Sequence, residues 1–142
     1  LSAHIAVSVC AVNPCGILAE GCVRQPTIVP NLPPIVDIAL GEQHSCALDY
    51  QGSVWCWGDN TNGQLGIGEA GQIGLNGSRS SRRAMRVGRL TDITNITAGF
   101  ASNCARSSRG QVYCWGSNNG GQLGNGNCAQ AVSSPIEVDF GF

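Results

Sequence analysis

Three stretches of the chain carry residue types that could support catalysis or bind a ligand. The first is His44-Ser45-Cys46, which combines a base with two nucleophiles. Neighbours on a strand point to opposite faces of a sheet, so we expect His44 to form a hydrogen bond within its own sheet. No Gly-x-Ser-x-Gly turn is present to hold a catalytic serine, and the nine acidic residues form no repeated pair. The sequence therefore predicts no catalytic residue.

The other two stretches suggest phosphate or calcium binding. Gly66-Ile-Gly-Glu-Ala-Gly71 has the glycine spacing of a dinucleotide-binding loop, but no strand-loop-helix pattern surrounds it. Asp59-Asn-Thr-Asn-Gly63 is rich in oxygen donors, but they do not fall at the alternating positions that a calcium loop requires. We expect Asn and Gly to form turns and side-chain caps here, and we expect no cofactor.

The chain has eight cysteines, and their spacing lacks the short paired knuckles of a structural zinc site. We therefore expect no metal. An even number of cysteines in a short chain is typical of disulfide bonds in an oxidising environment, which predicts a secreted, extracellular or cell-surface protein. The chain does not begin with Met, as expected for a mature chain without its signal peptide, or for a fragment. Asn76 and Asn95 match the pattern for N-glycosylation.

Composition narrows the function classes further. Only 12% of the residues are charged and the net charge is −1, so nothing steers the chain toward nucleic acid. No apolar run of 18 residues occurs, so no membrane span is predicted. All eight basic side chains are Arg, which leaves no lysine for Schiff-base chemistry. The 20 glycines indicate an all-β fold rich in turns.

An internal repeat organises these stretches. Cys46-Ala, Gly52-x-Val-x-Cys-Trp-Gly58 and Asn60-x-x-Gly-Gln-Leu-Gly66 all recur 58 residues later. Each unit begins with a β-rich run, Val36–Leu40 or Ile93–Thr97, and continues into two strands that flank a glycine turn. We assign residues 36–92 to one unit and residues 93–142 to a second.

The hairpins of the two units predict two disulfide bonds. With the first turn centred on Gln51, Cys46 lies opposite Cys56; centring the second turn on Arg109 places Cys104 opposite Cys114. Opposed Cβ atoms of an antiparallel pair are about 4.5–5.5 Å apart, which a small local approach brings within disulfide range. The tryptophans around Cys56 and the aromatic residues around Cys114 point to the other face, where we expect packing between units.

Residues 1–35 read as a divergent third unit with extra cysteines. Shifting the repeat by 36 residues aligns Cys10 with Cys46, and Cys22 falls close to the second hairpin position. This alignment pairs Cys10 with Cys22 and leaves Cys15 and Cys128 to bridge neighbouring units or chains. Four cysteines allow three connectivities, so these pairings stay open.

The only concentration of charge lies in residues 77–89, interpreted as a loop inserted between strands of the 36–92 unit. Five arginines occur there, and three interpretations are open: a solvated loop, a contact for an acidic glycan or partner, or a processing site. They are Arg79, Arg82, Arg83, Arg86 and Arg89.

The motif Trp57-Gly-x-Asn-x-x-Gly-Gln-Leu-Gly66 resembles the regulator of chromosome condensation repeat family, most closely its cysteine-containing secreted branch. The resemblance implies a β-propeller of four-stranded blades, about seven to a ring, that binds proteins through loops on one rim. Two blades and a remnant are too few to close such a ring, and an open array leaves unpaired strand edges. We therefore expect the incomplete ring to be closed or extended by assembly with identical chains or other blades.

Three functions follow as hypotheses. The first is a non-enzymatic extracellular repeat protein that assembles into rings or filaments and binds proteins. The second is a secreted recognition domain for a protein or glycan, including an enzyme inhibitor. The third is a guanine nucleotide exchange factor, which the family resemblance alone suggests and which fold similarity does not establish.

Overall fold

The computed structural model describes residues 28–68, 70–71, 79–128 and 131–141. Regular structure in these residues is entirely β-strand. The strands are Ile35–Leu40 (β1), His44–Asp49 (β2), Val54–Asp59 (β3), Ser80–Arg86 (β4), Ile93–Ala98 (β5), Ser102–Ser107 (β6), Val112–Gly116 (β7) and Val132–Glu137 (β8). They form two antiparallel sheets, β1-β2-β3-β4 (blade 1) and β5-β6-β7-β8 (blade 2), which confirms the all-β prediction.

The central hairpin of each blade has the predicted register. Cys46 lies opposite Cys56 in blade 1, and Cys104 lies opposite Cys114 in blade 2. The sulfur atoms of each pair are at disulfide distance, and the Cα atoms of each pair are 4.1 Å apart. Each bridge closes a loop of ten residues, which contributes about 3 kcal/mol by restricting the unfolded chain. Since a lone two-stranded hairpin is marginal in water, these bridges stabilise the centre of each sheet.

The prediction of an inserted loop over residues 77–89 is wrong, because Ser80–Arg86 forms β4 at the edge of blade 1. This strand pairs with β3, placing Trp55 opposite Arg86. Only Ala84 and Met85 in β4 pack against the hydrophobic clusters, and these neighbours face opposite sides of the sheet. With one apolar residue on each face the strand shows no alternation, so its sequence reads as a loop.

The larger hydrophobic cluster lies between the two blades. One face of blade 1 supplies the disulfide, Leu48 and Val54, and the opposing face of blade 2 supplies Ala105 and Trp115. A smaller cluster covers the other face of blade 1, where Val29 and Leu32 pack with three buried residues, Ile35, Ala47 and Trp57. The predicted third unit lies mostly in residues 1–27, outside the described residues, as do Cys10, Cys15 and Cys22.

Candidate protein-interaction surfaces

The best-defined contact surface is the joint between the blades, which combines apolar packing with a buried polar network. Trp115 is fully buried there, and its indole Nε1 donates a hydrogen bond to the backbone carbonyl of Gln64 at 3.0 Å. Asn103 donates from Nδ2 to the same carbonyl at 2.8 Å. The predicted packing of an aromatic residue between units is thus confirmed for Trp115, which joins the two blades both by burial and by a hydrogen bond.

His44 extends this network across the joint. Its Nε2 lies 2.8 Å from Oδ1 of Asn103, so the expectation of a bond within its own sheet is wrong. Because the Asn103 amide nitrogen already donates to Gln64, the amide oxygen must accept, and His44 carries its proton on Nε2. His44 Nδ1 is buried without a hydrogen-bond partner among the described residues.

This environment disfavours a charged imidazole. A second proton would be placed on Nδ1. The imidazole ring packs so closely on Gly41 that a Cβ on that glycine would overlap the ring. Burial lowers the pKa of His44 below its ordinary value of 6.5, and the Asn103 bond and the Asp59 carboxylate offset this only in part. His44 therefore serves the joint as a neutral hydrogen-bond donor.

We expect the joint to weaken as the pH falls below about 6.5. The unfolded chain binds the proton more readily than the folded chain, so unfolding is favoured where only the unfolded imidazole is protonated. The stability that neutral His44 contributes is complete above the pKa of His44 in the unfolded chain. It is lost progressively as the pH falls toward the lowered pKa of His44 in the folded chain. Urea midpoints measured between about pH 5 and pH 8 should show this slope.

Removing the imidazole of His44 tests this assignment. His44→Gln should flatten the slope in this pH window, because glutamine does not titrate. An unaltered slope in His44→Gln would contradict the assignment.

Glycine turns bring the blades into close contact. Gly63 and Gly66 have φ values of 74° and 65°. A Cβ on Gly66 would lie 2.8 Å from Trp115 Nε1, and one on Gly63 would lie 2.7 Å from the Cα of Ser133. The side chain of Asn60 accepts from the Leu65 amide at 3.1 Å, as the interpretation of turns and caps predicts. The stretches considered for phosphate and calcium binding therefore form turns that bring blade 1 against blade 2 at the joint.

The face of blade 1 that blade 2 covers has an equivalent on blade 2. We call this equivalent face of blade 2 the back face. It contains the Cys104–Cys114 bridge, Arg106 and Val112, at the positions of Cys46–Cys56, Leu48 and Val54 in blade 1. Cys104 and Val112 are only partly buried, whereas all four blade 1 residues are buried. Arg106 is exposed and donates to Asn95 Oδ1 at 2.6 Å. The back face is thus the less covered of two matching surfaces.

The five arginines do not form one surface. Arg82, Arg83 and Arg86 belong to the edge strand β4, and Arg79 immediately precedes it. Arg86 donates to the Ser53 hydroxyl at 3.1 Å, while Arg89 lies in the link between the blades. Charged side chains on an edge strand discourage pairing with other sheets, so β4 presents a protected edge.

The remaining predicted sites have mixed outcomes. Cys128 carries an exposed free thiol in the structure, and Cys15, the other cysteine that the repeat alignment leaves over, lies outside the described residues. Asn76 also lies outside them. Asn95 is exposed on β5, so its glycosylation stays a prediction. No helix long and apolar enough to cross a membrane occurs among the described residues.

The candidate nucleophiles Ser45 and Cys46 are not arranged for catalysis with His44. Cys46 is bonded to Cys56, and the His44 ring is directed to Asn103 rather than to a thiol or hydroxyl. Ser45 Oγ is buried without a partner among the described residues. Ser45 corresponds by the repeat to Asn103, the residue that bonds across the joint on blade 2.

Comparison with known sequences identifies the repeat. Profiles of the Regulator of chromosome condensation (RCC1) repeat match residues 35–64, 93–122 and 109–141. The chain is 36% identical over 105 residues to human probable E3 ubiquitin-protein ligase HERC6, covering 73% of this chain and 10% of the ligase. It is 34% identical over 95 residues to the Protein RCC2 homolog of Xenopus laevis, covering 67% of this chain and 17% of that protein. The chain therefore spans only a small part of these relatives.

Comparison with solved structures identifies the fold. Prp20p from Saccharomyces cerevisiae superposes with a TM-score of 0.69 at 20% identity, covering 87% of this chain and 29% of Prp20p. Yeast RCC1 (Prp20), in its crystal structure with Kap60, gives a TM-score of 0.73 at 22% identity, covering 84% and 28%. From its motifs, its repeat matches and its two four-stranded sheets, this chain belongs to the regulator of chromosome condensation repeat family and forms adjacent blades of a β-propeller.

Proposed function

We propose that this chain is a non-catalytic protein-interaction module that assembles through the back face of blade 2. The observation that carries the proposal is the difference between two matching surfaces. The Cys46–Cys56 face of blade 1 is buried under blade 2, while the Cys104–Cys114 face is partly exposed. A partly exposed face with the pattern of a covered one favours another protein surface as its occupant.

The occupant we propose is a blade from a second copy of this chain. Leu48, buried in the joint, corresponds to Arg106 on the back face, so the incoming blade must tolerate or pair with a guanidinium there. Asn95 shares the back face with Arg106, its cross-strand neighbour. A glycan on Asn95 and a docked blade would therefore exclude each other.

The relatives support protein partners in general. Prp20p from Saccharomyces cerevisiae is described with binding properties to Gsp1p and histones, and yeast RCC1 (Prp20) with bound Kap60. We infer that this chain likewise presents protein-binding surfaces. The similarity to HERC6 covers only 10% of that ligase, so it gives no basis for assigning ligase activity to this chain.

We also propose an oxidising, extracellular environment. Each blade depends on a disulfide at its central hairpin, and a reducing compartment would leave those hairpins without their bridges. Thiol quantification on protein isolated from its natural source tests this directly. Free thiols at Cys46 and Cys56 in that material would rule the environment out.

Sedimentation equilibrium of the 142-residue chain tests the assembly. We expect particles larger than the 14.7 kDa chain that dissociate on dilution. Val112→Arg places a charge on the back face and should yield a monomer with unchanged circular dichroism. Tyr50→Arg alters an exposed turn residue of blade 1 and should leave assembly unchanged. A wild-type chain that sediments as a 14.7 kDa monomer at high concentration would overturn self-assembly.

A further inference from the structure

The second candidate surface is a polar cavity of about 270 Å³ beside the hairpin turn of blade 2. Arg89 and Asp92 line it from the link between the blades, and Ser107, Arg109 and Tyr113 line it from the hairpin. Neither arginine side chain makes a hydrogen bond or ion pair with a described residue. Two arginines thus line the same small space, and their side chains have no protein acceptor among those residues.

The matching region beside the hairpin turn of blade 1 shows which chemical group occupies this position there. Asp49 occupies the position of Ser107, and its Oδ1 accepts from the amides of Gln51 and Ser53, each at 2.9 Å. Its Oδ2 accepts from the indole Nε1 of Trp55, also at 2.9 Å. Asp49 is almost fully buried, so blade 1 fills this position with a carboxylate of its own.

Blade 2 lacks that carboxylate and has gained positive charge. Ser107 replaces Asp49 and accepts only a longer bond, 3.2 Å, from the Gln111 amide. Arg109 takes the position of Gln51, and Arg89 that of Asn31. Arg89 keeps the left-handed backbone of Asn31, with φ of 60° against 64°, although asparagine adopts that conformation more readily.

The two acids near the cavity do not replace the missing group. Asp92 lines the cavity and leaves its charge at one net positive beside the two arginines. Glu137 lies outside the lining, where its carboxylate accepts from the Gln111 amide group at 3.2 Å.

From this comparison we infer that the cavity binds an acidic side chain, Asp or Glu, of a protein partner. The incoming carboxylate takes the place that Asp49 fills in blade 1, and Arg89 and Arg109 bind it by charge-assisted hydrogen bonds. This inference names a site within the proposed interaction module and so rests on that proposal. The cavity is on the hairpin-turn side of blade 2, separate from the Val112 position used to test assembly.

A pair of peptides tests the site. Acetyl-Gly-Asp-Gly-amide titrated into the isotope-labelled 142-residue chain should shift the Arg89 and Arg109 Nε–H signals saturably, in NMR spectra. Acetyl-Gly-Asn-Gly-amide, which has the same shape without the charge, should not. Arg109→Gln, which installs the blade 1 residue, should weaken binding about tenfold or more. Arg83→Gln, on the exposed edge strand, should leave it unchanged.

A third variant supplies the carboxylate from within. Ser107→Asp should raise the thermal midpoint and abolish peptide binding, because the new side chain fills the cavity as Asp49 does in blade 1. Full peptide binding by a folded Ser107→Asp chain would contradict the inference. So would equal shifts from inorganic phosphate, which would indicate a general anion site, or the absence of shifts with the Asp peptide.

The outcomes of the two proposals are separable. Arg109→Gln should leave the sedimentation of the chain unchanged, and the monomeric Val112→Arg should still bind the Asp peptide. A chain that assembles but does not bind the Asp peptide would contradict the proposed site for an acidic side chain and leave the assembly proposal intact. A chain that binds the Asp peptide but never assembles would contradict the assembly proposal and leave the site intact.

Discussion

Trp115→Ala is expected to lower the free energy of unfolding by about 4 kcal/mol. The indole is completely buried between the blades, and its Nε1 donates to the Gln64 carbonyl, so truncation leaves a cavity and removes one of the two hydrogen bonds that this carbonyl accepts. Removing it also takes away the wall against which Gly66 packs. Guanidinium denaturation followed by far-ultraviolet circular dichroism measures the loss.

Two matched controls locate this effect in the joint. Trp55→Ala removes a half-buried indole that bonds to Asp49 within its own blade, so it should cost less. Gly66→Ala and Gly124→Ala impose the same backbone strain, since their φ values are 65° and 66°. Only the first places its Cβ within 2.8 Å of Trp115, whereas the second meets Val138 at 3.5 Å. Equal losses in the two glycine variants would show that packing at the joint contributes little.

The two disulfides are expected to differ in their resistance to reduction. Both sulfurs of Cys46–Cys56 are buried in the joint, whereas Cys104 is only half-buried on the back face. Because exchange requires a thiolate to reach a sulfur atom, mild dithiothreitol should open Cys104–Cys114 first in dilute, unassembled protein. Cys46–Cys56 should open only with unfolding. Alkylation followed by peptide mass spectrometry identifies the order.

Removing either bridge should also reduce stability. The double variant Cys104→Ala/Cys114→Ala is expected to lose about 3 kcal/mol, since a bridge over ten residues restricts the unfolded chain. Cys128→Ala is the control, because that thiol is free and exposed and its removal should change stability little. Simultaneous alkylation of all four bridge cysteines in the native protein would contradict the burial of Cys46–Cys56.

Features set by short-range spacing could be predicted from sequence. In each hairpin the turn glycine and the cysteines lie within ten residues, so alternation along two strands suffices to place Cys46 opposite Cys56. Repetition of the same pattern after 58 residues predicted a second sheet of the same kind. The strand β4 escaped prediction because its pairing with β3, and not the pattern of its own side chains, holds it in the sheet.

The joint could not be predicted, because its contacts connect residues that are far apart in the chain. His44 and Asn103 are 59 residues apart, and Trp115 and Gln64 are 51 apart. Sequence alternation shows which face a side chain takes within its strand, but not which sheet will cover that face. For this reason His44 was assigned to its own sheet, while the structure directs it across the joint.

Local residue patterns were enough to predict the β class, the repeat, and the opposed cysteines of both hairpins, since these depend on turn residues and a period of two along the strand. Three other features became visible only in the folded chain: Ser80–Arg86 is an edge strand, Asn103 and Trp115 share one carbonyl, and two arginines line a common cavity. The edge strand is held by its pairing with β3, and the other two features arise when the sheets pack together. Packing depends on the shape and polarity of whole faces rather than on any local pattern of residues.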